Sequence, residues 1–441
     1  MVVTELYSEL SSALPASYVG VAEERGDALG NEGQVLVRPS TEEEICRTLS
    51  FATKQKQHVT VEGAGTKRGF GGTSKSTDLL LSLRDYHGIV EHTVGDMTVT
   101  VKAGTNVHEL QAYLAEHQQK FAFDLPADEE ATIGGIIASN ESGPKRLGYG
   151  SARDQVIGLR VIYPDGRLIR TGGKVVKNVA GYDMNKLFIG AMGTLGVISE
   201  VTMKLRPLPK HERLLLIPFA NEKMEDVRSF AVSLLDSMLE PVALEIMNAT
   251  IMEKLTGIRT LGLALSFEDV EPSVDYQEKF VRRMLPAQTN ILVKEGKDAH
   301  SFWENVARMG SSKRLVQSSS AVSVKLKIGV KNLRVFDVLK EAELLEEAHG
   351  LTVQSQGGLG HGLCIVCLSG AKEDVIASIN SLRSQVEAIG GYVVVTHAPL
   401  AVRETVQVWG KPPTYFPLLE GIKRAIDPNR LLNQSRFVGG I

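Results

Sequence analysis

Three cysteines in 441 residues are too few for a disulfide framework, which points to a reducing compartment and a cytoplasmic location. Long hydrophobic runs are missing as well. No uninterrupted apolar stretch approaches the ~20 residues that cross a bilayer, and the N-terminus MVVTELYSELSSALPASY has no basic region followed by an apolar core. A soluble chain is expected, with membrane contact only through partners. The formal net charge of -3, with Lys and Arg interspersed among Asp and Glu, gives no electrostatic reason to bind a polyanion. Nucleic acid is therefore excluded as an expected partner. Internal repeats and low-complexity tracts are also lacking.

What is present has a globular balance, 43% hydrophobic and 23% charged. The length exceeds the roughly 250–300 residues at which one core stops growing, so two domains are expected. Cys364 and Cys367 form a CxxC inside LCIVCLSG, an apolar run that reads as a buried strand. Positions i and i+3 of a strand point to opposite faces, which favours two buried thiols over a redox or metal pair.

From Gln34 to about Pro209, β-branched runs alternate with helical stretches and glycine-rich turns, as in a mixed α/β domain. Within it, Thr41 and Glu44 have capping-box spacing at the start of a helix. LRPLPKHERLLLIPF breaks the pattern, placing a boundary near Leu208. From 209 to 401, strands and helices alternate in a way that predicts an antiparallel sheet with helices on one side. The rest, 402–441, reads as a helix ended by Asp427-Pro428 and a polar tail. The fold class is α+β.

Three glycine-rich segments carry the chemistry. In VEGAGTKRGFGG, Gly63, Gly65 and Gly69 follow a strand but do not open a helix, so the dinucleotide fingerprint of a doubly wound fold fails on context. Successive backbone N–H groups in such a loop can still form an anion nest suited to a diphosphate, and the same loop read alone serves equally as a tight turn. In DLPADEEATIGGIIASNESGPKRLGYG, small residues recur from Thr132, Gly134 and Gly135 through Ser139 and Gly143 to Tyr149, which suggests close approach of backbone to a flat ligand. In KNVAGYDMNKLFIGAMGTLGVISEVTMKLRP, Gly193 and Gly196 turn into a strand.

This order of segments, and the last string above all, resembles the FAD-binding domain shared by vanillyl-alcohol oxidase, p-cresol methylhydroxylase, D-lactate dehydrogenase and glycolate oxidase. SGPKRLGYGSARDQVIG with KNVAGYD is similar to the FAD-binding E subunits of glycolate oxidase. The resemblance implies a p-cresol-methylhydroxylase-type FAD-binding domain over 1–208, an α+β cap domain over 209–401, and a tail that returns to the first. It also implies that Glu62, Gly63, Ala64, Gly65, Thr66 and Lys67 lie on the FAD diphosphate. Thr132, Gly134, Gly135, Ser139, Gly143 and Tyr149 would line the ring and ribityl side, Gly193 to Ile198 the adenosine end, and Asn433 would contact the flavin domain from the tail. The implied activity is oxidation of glycolate to glyoxylate by hydride transfer to flavin, in a complex with a D-type flavin subunit and an iron–sulfur subunit. A structural subunit without catalysis of its own, or a free-standing FAD enzyme for a 2-hydroxy acid or alcohol, are the alternatives.

D-type subunits and D-lactate dehydrogenases carry an HxGDGNxH-like metal motif and an EHG segment in the cap. Here the comparable stretches are QGGLGHGLCIV and VVVTHAPLAVRE, which keep His361 and His397 but neither the acidic partners nor the second motif histidine. No metal is expected on that ground. His361 and His397 read as structural or surface residues, with a place in the active site as the other reading. Arg403 and Arg146 read as surface ion-pair residues, with carboxylate binding as theirs.

Members with covalent flavin use His or Cys in the loop, and neither occurs between Glu62 and Gly72. Acid or heat denaturation should therefore release yellow FAD into the supernatant. Flavin that stays with the precipitate would contradict non-covalent binding.

Overall fold

A computed structural model describes residues 3–15, 18–22, 29–73, 77–124, 128–174, 181–219, 224–286, 289–309 and 321–441. The KNVA portion of the third glycine-rich string, 177–180, lies outside the described residues.

Three sheets organise the described residues. The first contains β1 (Val19–Val21), β2 (Gly33–Val37), β3 (Val59–Glu62) and β4 (Thr77–Ser82) in the order β1-β2-β4-β3. Helix Glu42–Gln55 carries the chain from β2 to β3 and buries Ile45, Leu49 and Ala52. Its start is the capping box read from sequence: Thr41 Oγ1 accepts from Glu44 N, and Glu44 Oε2 accepts from Thr41 N at 3.1 Å. It stops at Lys56, left-handed at φ 54°. β4 then inserts between β2 and β3, parallel to both. Parallel neighbours need a crossover, and between β3 and β4 that crossover is the glycine-rich loop.

The second sheet holds β5 (Ile89–Thr93), β6 (Thr98–Lys102), β7 (Gln119–Phe121), β8 (Val156–Ile162), β9 (Leu168–Gly172) and β10 (Val197–Pro207). Its order is β5-β6-β10-β8-β9, with β7 paired to the far end of β10. The third is an eight-stranded antiparallel sheet of β11 (His211–Phe219), β12 (Ala243–Met247), β13 (Leu261–Asp269), β14 (Leu292–Glu295), β15 (Val322–Gly329), β16 (Thr352–Gly358), β17 (Leu363–Gly370) and β18 (Tyr392–His397). Its order is β14-β11-β13-β12-β16-β17-β15-β18.

Helices cover both faces of this third sheet, where the sequence suggested one. Leu215 and Ile217 join the core formed with Val227, Val274, Leu339 and Ile379 of four helices. Their neighbours Leu214 and Leu216 point the other way, against Phe302 and Trp303 of helix Gly296–Met309. A strand apolar at consecutive positions needs cover on both sides, and LLLI is such a strand.

After β18 the chain leaves the third sheet and returns to the first, where Leu432 bridges Val59 and Asn433 N donates to Val59 O at 2.9 Å. The return is held by a buried ion pair. Lys423 Nζ lies 2.7 Å from Asp427 Oδ2 and 2.7 Å from Thr194 O, while the Asp427 carboxylate accepts from Leu431 N and Leu432 N. Both side chains are 1% exposed.

Removing one partner of a buried pair strands the other charge, at a cost of about 3–5 kcal/mol. Asp427→Ala should destabilise by that order in urea denaturation. Lys423→Met combined with Asp427→Asn, which removes both charges and keeps an acceptor for one of the two amides, should cost less than Asp427→Ala. Losses that simply add would show that the two charges do not depend on each other.

Candidate functional site

The glycine-rich loop after β3, the helix Ile133–Ser139, the turn 192–196 and Asn433 wall a narrow groove. Gly63 lies so close to Thr132 that a Cβ there would overlap the threonine hydroxyl. That hydroxyl is in use, because Thr132 Oγ1 accepts from Gly135 N and so caps the helix. The Thr-Ile-Gly-Gly run thus opens a short helix, where the sequence read as a stretch of small residues between strands. Gly193 has φ +70°, and a Cβ on it would come within 2.7 Å of Asn433 Nδ2. Asn433 ties the groove together: its Oδ1 accepts from Val61 N at 2.7 Å and its Nδ2 donates to Met192 O at 2.7 Å.

Of the residues implied for the cofactor, Glu62 to Lys67, Thr132, Gly134, Gly135, Ser139, Gly193, Ile198 and Asn433 line this groove. Backbone with few side chains lets an extended ligand approach closely, and inward N–H groups suit its diphosphate. The residues present fit FAD. Gly143 and Tyr149 instead line a neighbouring cleft. A Cβ on Gly143 would press on the Asp124 carboxyl at 2.8 Å, and the Tyr149 hydroxyl donates to Glu268.

This cleft, about 600 Å³, lies between residues 120–124 and 141–145 on one side and the third sheet with helix Gly296–Met309 on the other. Lys67 lines both groove and cleft, so the two adjoin. One wall is a paired network: Glu268 of β13 accepts from Lys120, Lys145 and Tyr149, and Lys145 also reaches Glu212 at 2.7 Å. Burial alone would raise the Glu268 carboxyl, but Lys145 and Lys120 pull it down to about 2.

The other wall is less saturated. Lys67 Nζ sits 2.7 Å from Glu141 Oε1, while Glu141 Oε2 is buried with no hydrogen bond among the described residues. Burial works to raise this carboxyl, yet Lys67, Lys325 and Lys327 hold it below the usual range. Lys325 faces it from β15, in one register row with Gln354, Cys367 and His397. Its ammonium has no hydrogen bond or ion pair among the described residues. Cys367 lines the cleft, whereas Cys364 belongs to the helix-side core, and burial pushes both thiols up.

The residues singled out as catalytic candidates are not brought together. His361, in the β16–β17 turn, lies 3.4 Å from the buried Glu245, whose carboxyl is raised by desolvation. His397 is buried on β18 against the glycine-rich loop, where a Cβ on Gly69 would stand 2.6 Å from its Nδ1. Arg403 is neither a surface ion-pair residue nor a carboxylate binder. It is 4% exposed and donates to four backbone carbonyls, of Ala398, Gly71, Gly72 and Leu29. Burial and Arg68 lower its guanidinium to about 10. Arg146 is half-buried and donates to Ser142 Oγ at 3.2 Å. Among the described residues no group of three His, Cys, Asp or Glu could hold a metal ion.

Lys325 and Glu141 escaped the sequence reading. AVSVKLKIG did carry a signal, since alternation puts Lys325 and Lys327 on one face of an otherwise apolar strand.

Gly135 separates ligand fit from packing, because a Cβ there would meet only Thr132 Oγ1, at 3.2 Å. Gly135→Val should purify folded but without flavin, as read by absorbance and thermal unfolding. Full flavin occupancy would remove Gly135 from the cofactor surface.

Residues 33–172 match the family described as FAD binding domain. The chain is 28% identical over 424 residues to the D-lactate dehydrogenase of Archaeoglobus fulgidus, covering 92% of each. It is 37% identical over 167 residues to the glycolate oxidase subunit GlcE of Escherichia coli, 38% of this chain and 47% of that one. Substrate-bound p-cresol methylhydroxylase superposes with a TM-score of 0.76 at 14% identity, over 98% of this chain and 96% of the other, so the fold is shared. The chain is an FAD-dependent oxidoreductase, with FAD as its cofactor and the fold of p-cresol methylhydroxylase.

Proposed function

We propose that the chain oxidises the hydroxyl-bearing carbon of a small 2-hydroxy acid, acting as the E-type flavin subunit of a glycolate dehydrogenase beside a D-type flavin subunit and an iron–sulfur subunit. The observation that carries the substrate class is the Lys325 ammonium, without a hydrogen bond or ion pair among the described residues, facing the Lys67–Glu141 pair across the cleft. A carboxylate has a cation to bind there, and a hydroxyl has an acceptor in Glu141 Oε2. FAD, when bound, supplies the hydride acceptor. Lys67 holds the Glu141 carboxylate through Oε1, at the edge of the cleft that the substrate would enter. Phe121, Ile251 and Trp303 exclude water from the same space.

Glu141 held below the usual carboxylate range is ionised but weakly basic. General-base catalysis contributes about 10²–10⁴-fold, so the chain alone is a slow catalyst and the complex a competent one. The likeness to GlcE supports the subunit reading. The match to a D-lactate dehydrogenase over 92% of both chains favours a second reading, a free-standing D-2-hydroxy-acid dehydrogenase.

Anaerobic stopped-flow reduction of the purified single chain decides between them. Slow bleaching by glycolate and D-lactate, accelerated once the two partners are added, is the expected result. Rapid bleaching of the single chain by D-lactate selects the second reading, and no bleaching even in the complex defeats both. Because a hydrogen bond to a charged group contributes about 1.5–3 kcal/mol, Lys325→Met should lower kcat/KM for the hydroxy acid by about 10- to 100-fold.

A further inference from the structure

Strand β16 brings two carboxamides to the substrate cleft. Gln354 and Gln356 stand two positions apart, so the pleat turns both to the cleft, while Val353 joins the helix-side core. In the sheet register Gln354 is paired with Cys367 of β17, and Cys367 with Lys325 of β15. That row places Gln354 two strand spacings, about 10 Å between backbones, from the cation proposed to receive the substrate carboxylate. The small side chain of Cys367 stands between them and leaves the space above it to a ligand. Gln356 is paired with Ile365 in the next row and is only 9% exposed. Neither carboxamide makes a hydrogen bond among the described residues, and Gln354 Oε1 is buried in that condition. Around them the cleft is lined by apolar Ile251, Ile365 and Trp303, whose indole N–H is already engaged by Ser266 Oγ at 3.3 Å.

We propose that this pair of amides reads a hydroxyl on C3 of the substrate, so that the preferred small 2-hydroxy acid is a 2,3-dihydroxy acid, with glycerate the smallest. The inference rests on the proposed activity and names its substrate. A carboxamide offers N–H donors at one end and an acceptor at the other, and the torsion that exchanges the two ends is soft. A hydroxyl both donates and accepts, so it answers whichever end is presented. A carboxylate only accepts, an ammonium only donates, and the methyl group of lactate does neither. Glycolate has no C3 at all. Water can serve the amides in the free protein, but a methyl group displaces that water without replacing its hydrogen bonds. A buried polar group left unpaired in this way is how a site rejects an analogue that is one hydroxyl short. The chemistry at C2 is that of the proposed activity: its hydrogen leaves with the electron pair to the flavin and the C2 hydroxyl proton goes to a base. The product is a 3-hydroxy-2-oxo acid with the C3 hydroxyl intact.

Two comparisons isolate that one hydroxyl. Hydroxypyruvate and pyruvate differ by it and do not reduce flavin, so calorimetric titration of the FAD-loaded chain reads binding alone, and hydroxypyruvate should bind about tenfold more tightly. In anaerobic stopped-flow at equal subsaturating concentrations, D-glycerate should bleach the flavin about tenfold faster than D-lactate. Gln356→Leu should bring both ratios close to one, whereas loss of a merely structural residue would lower both members of each pair alike. Should Gln356→Leu fail to fold, Gln354→Leu is read by the same two ratios. Equal binding of the two oxo acids, equal bleaching by glycerate and lactate, or ratios that the substitutions leave unmoved would overturn the proposal. Preferential binding of hydroxypyruvate, lost in the leucine variant, by a protein that no hydroxy acid bleaches would instead place the failure in the proposed activity.

Discussion

The wall that closes the cofactor groove is brought back from the far end of the chain, and the buried Lys423–Asp427 pair holds it there. Asn433 and Val61 are 372 residues apart in sequence, yet they are hydrogen-bonded and both line the groove. Asp427 accepts the amides of Leu431 and Leu432, setting the turn that precedes Asn433, and Lys423 ties the same turn to Thr194 beside the glycine-rich segment 190–196. A charge pair at this depth is worth having only with every remaining lone pair and proton satisfied. Here the backbone of Thr194 and of the Leu431–Leu432 turn satisfies them. Arg436 extends the arrangement, donating to Lys67 O and Phe70 O from within the tail.

Around that groove the charges divide by whether they are already used. Lys120 and Lys145 are consumed by Glu268 and Glu212, which joins the wall of the cleft across the two halves. Arg403 is consumed by carbonyls. Lys325 and Lys327, two positions apart on one strand, have no such partners among the described residues. Lys325 lines the cleft and Lys327 a separate cavity beside Trp409. A single β-strand thus presents a cation to each of two spaces that share a lining residue with the same groove.

The α+β class, the capping box at Thr41 and Glu44, and the failure of the doubly wound fingerprint were legible because each rests on neighbours within a few residues. So was the opposite orientation of Cys364 and Cys367, which follows from the pleat. The second helix layer over the third sheet was less legible, although LLLIPF carried it, since one apolar run suits a buried strand or half of a helix face equally well.

Sequence alone determined where the backbone could be bare: glycine spacing at Gly63, Gly65, Gly134, Gly135 and Gly193 requires no knowledge of what lies opposite, because a missing Cβ is a local property. Tertiary structure decided which polar groups remained available. Arg403 and Lys325 look alike in sequence, each a cation among apolar neighbours. One is surrounded by carbonyls from Leu29, Gly71, Gly72 and Ala398, while the other faces Glu141 across open space. Whether a charge is spent on the fold or left for a ligand depends on atoms contributed by distant segments, and only the packed chain brings those atoms within reach.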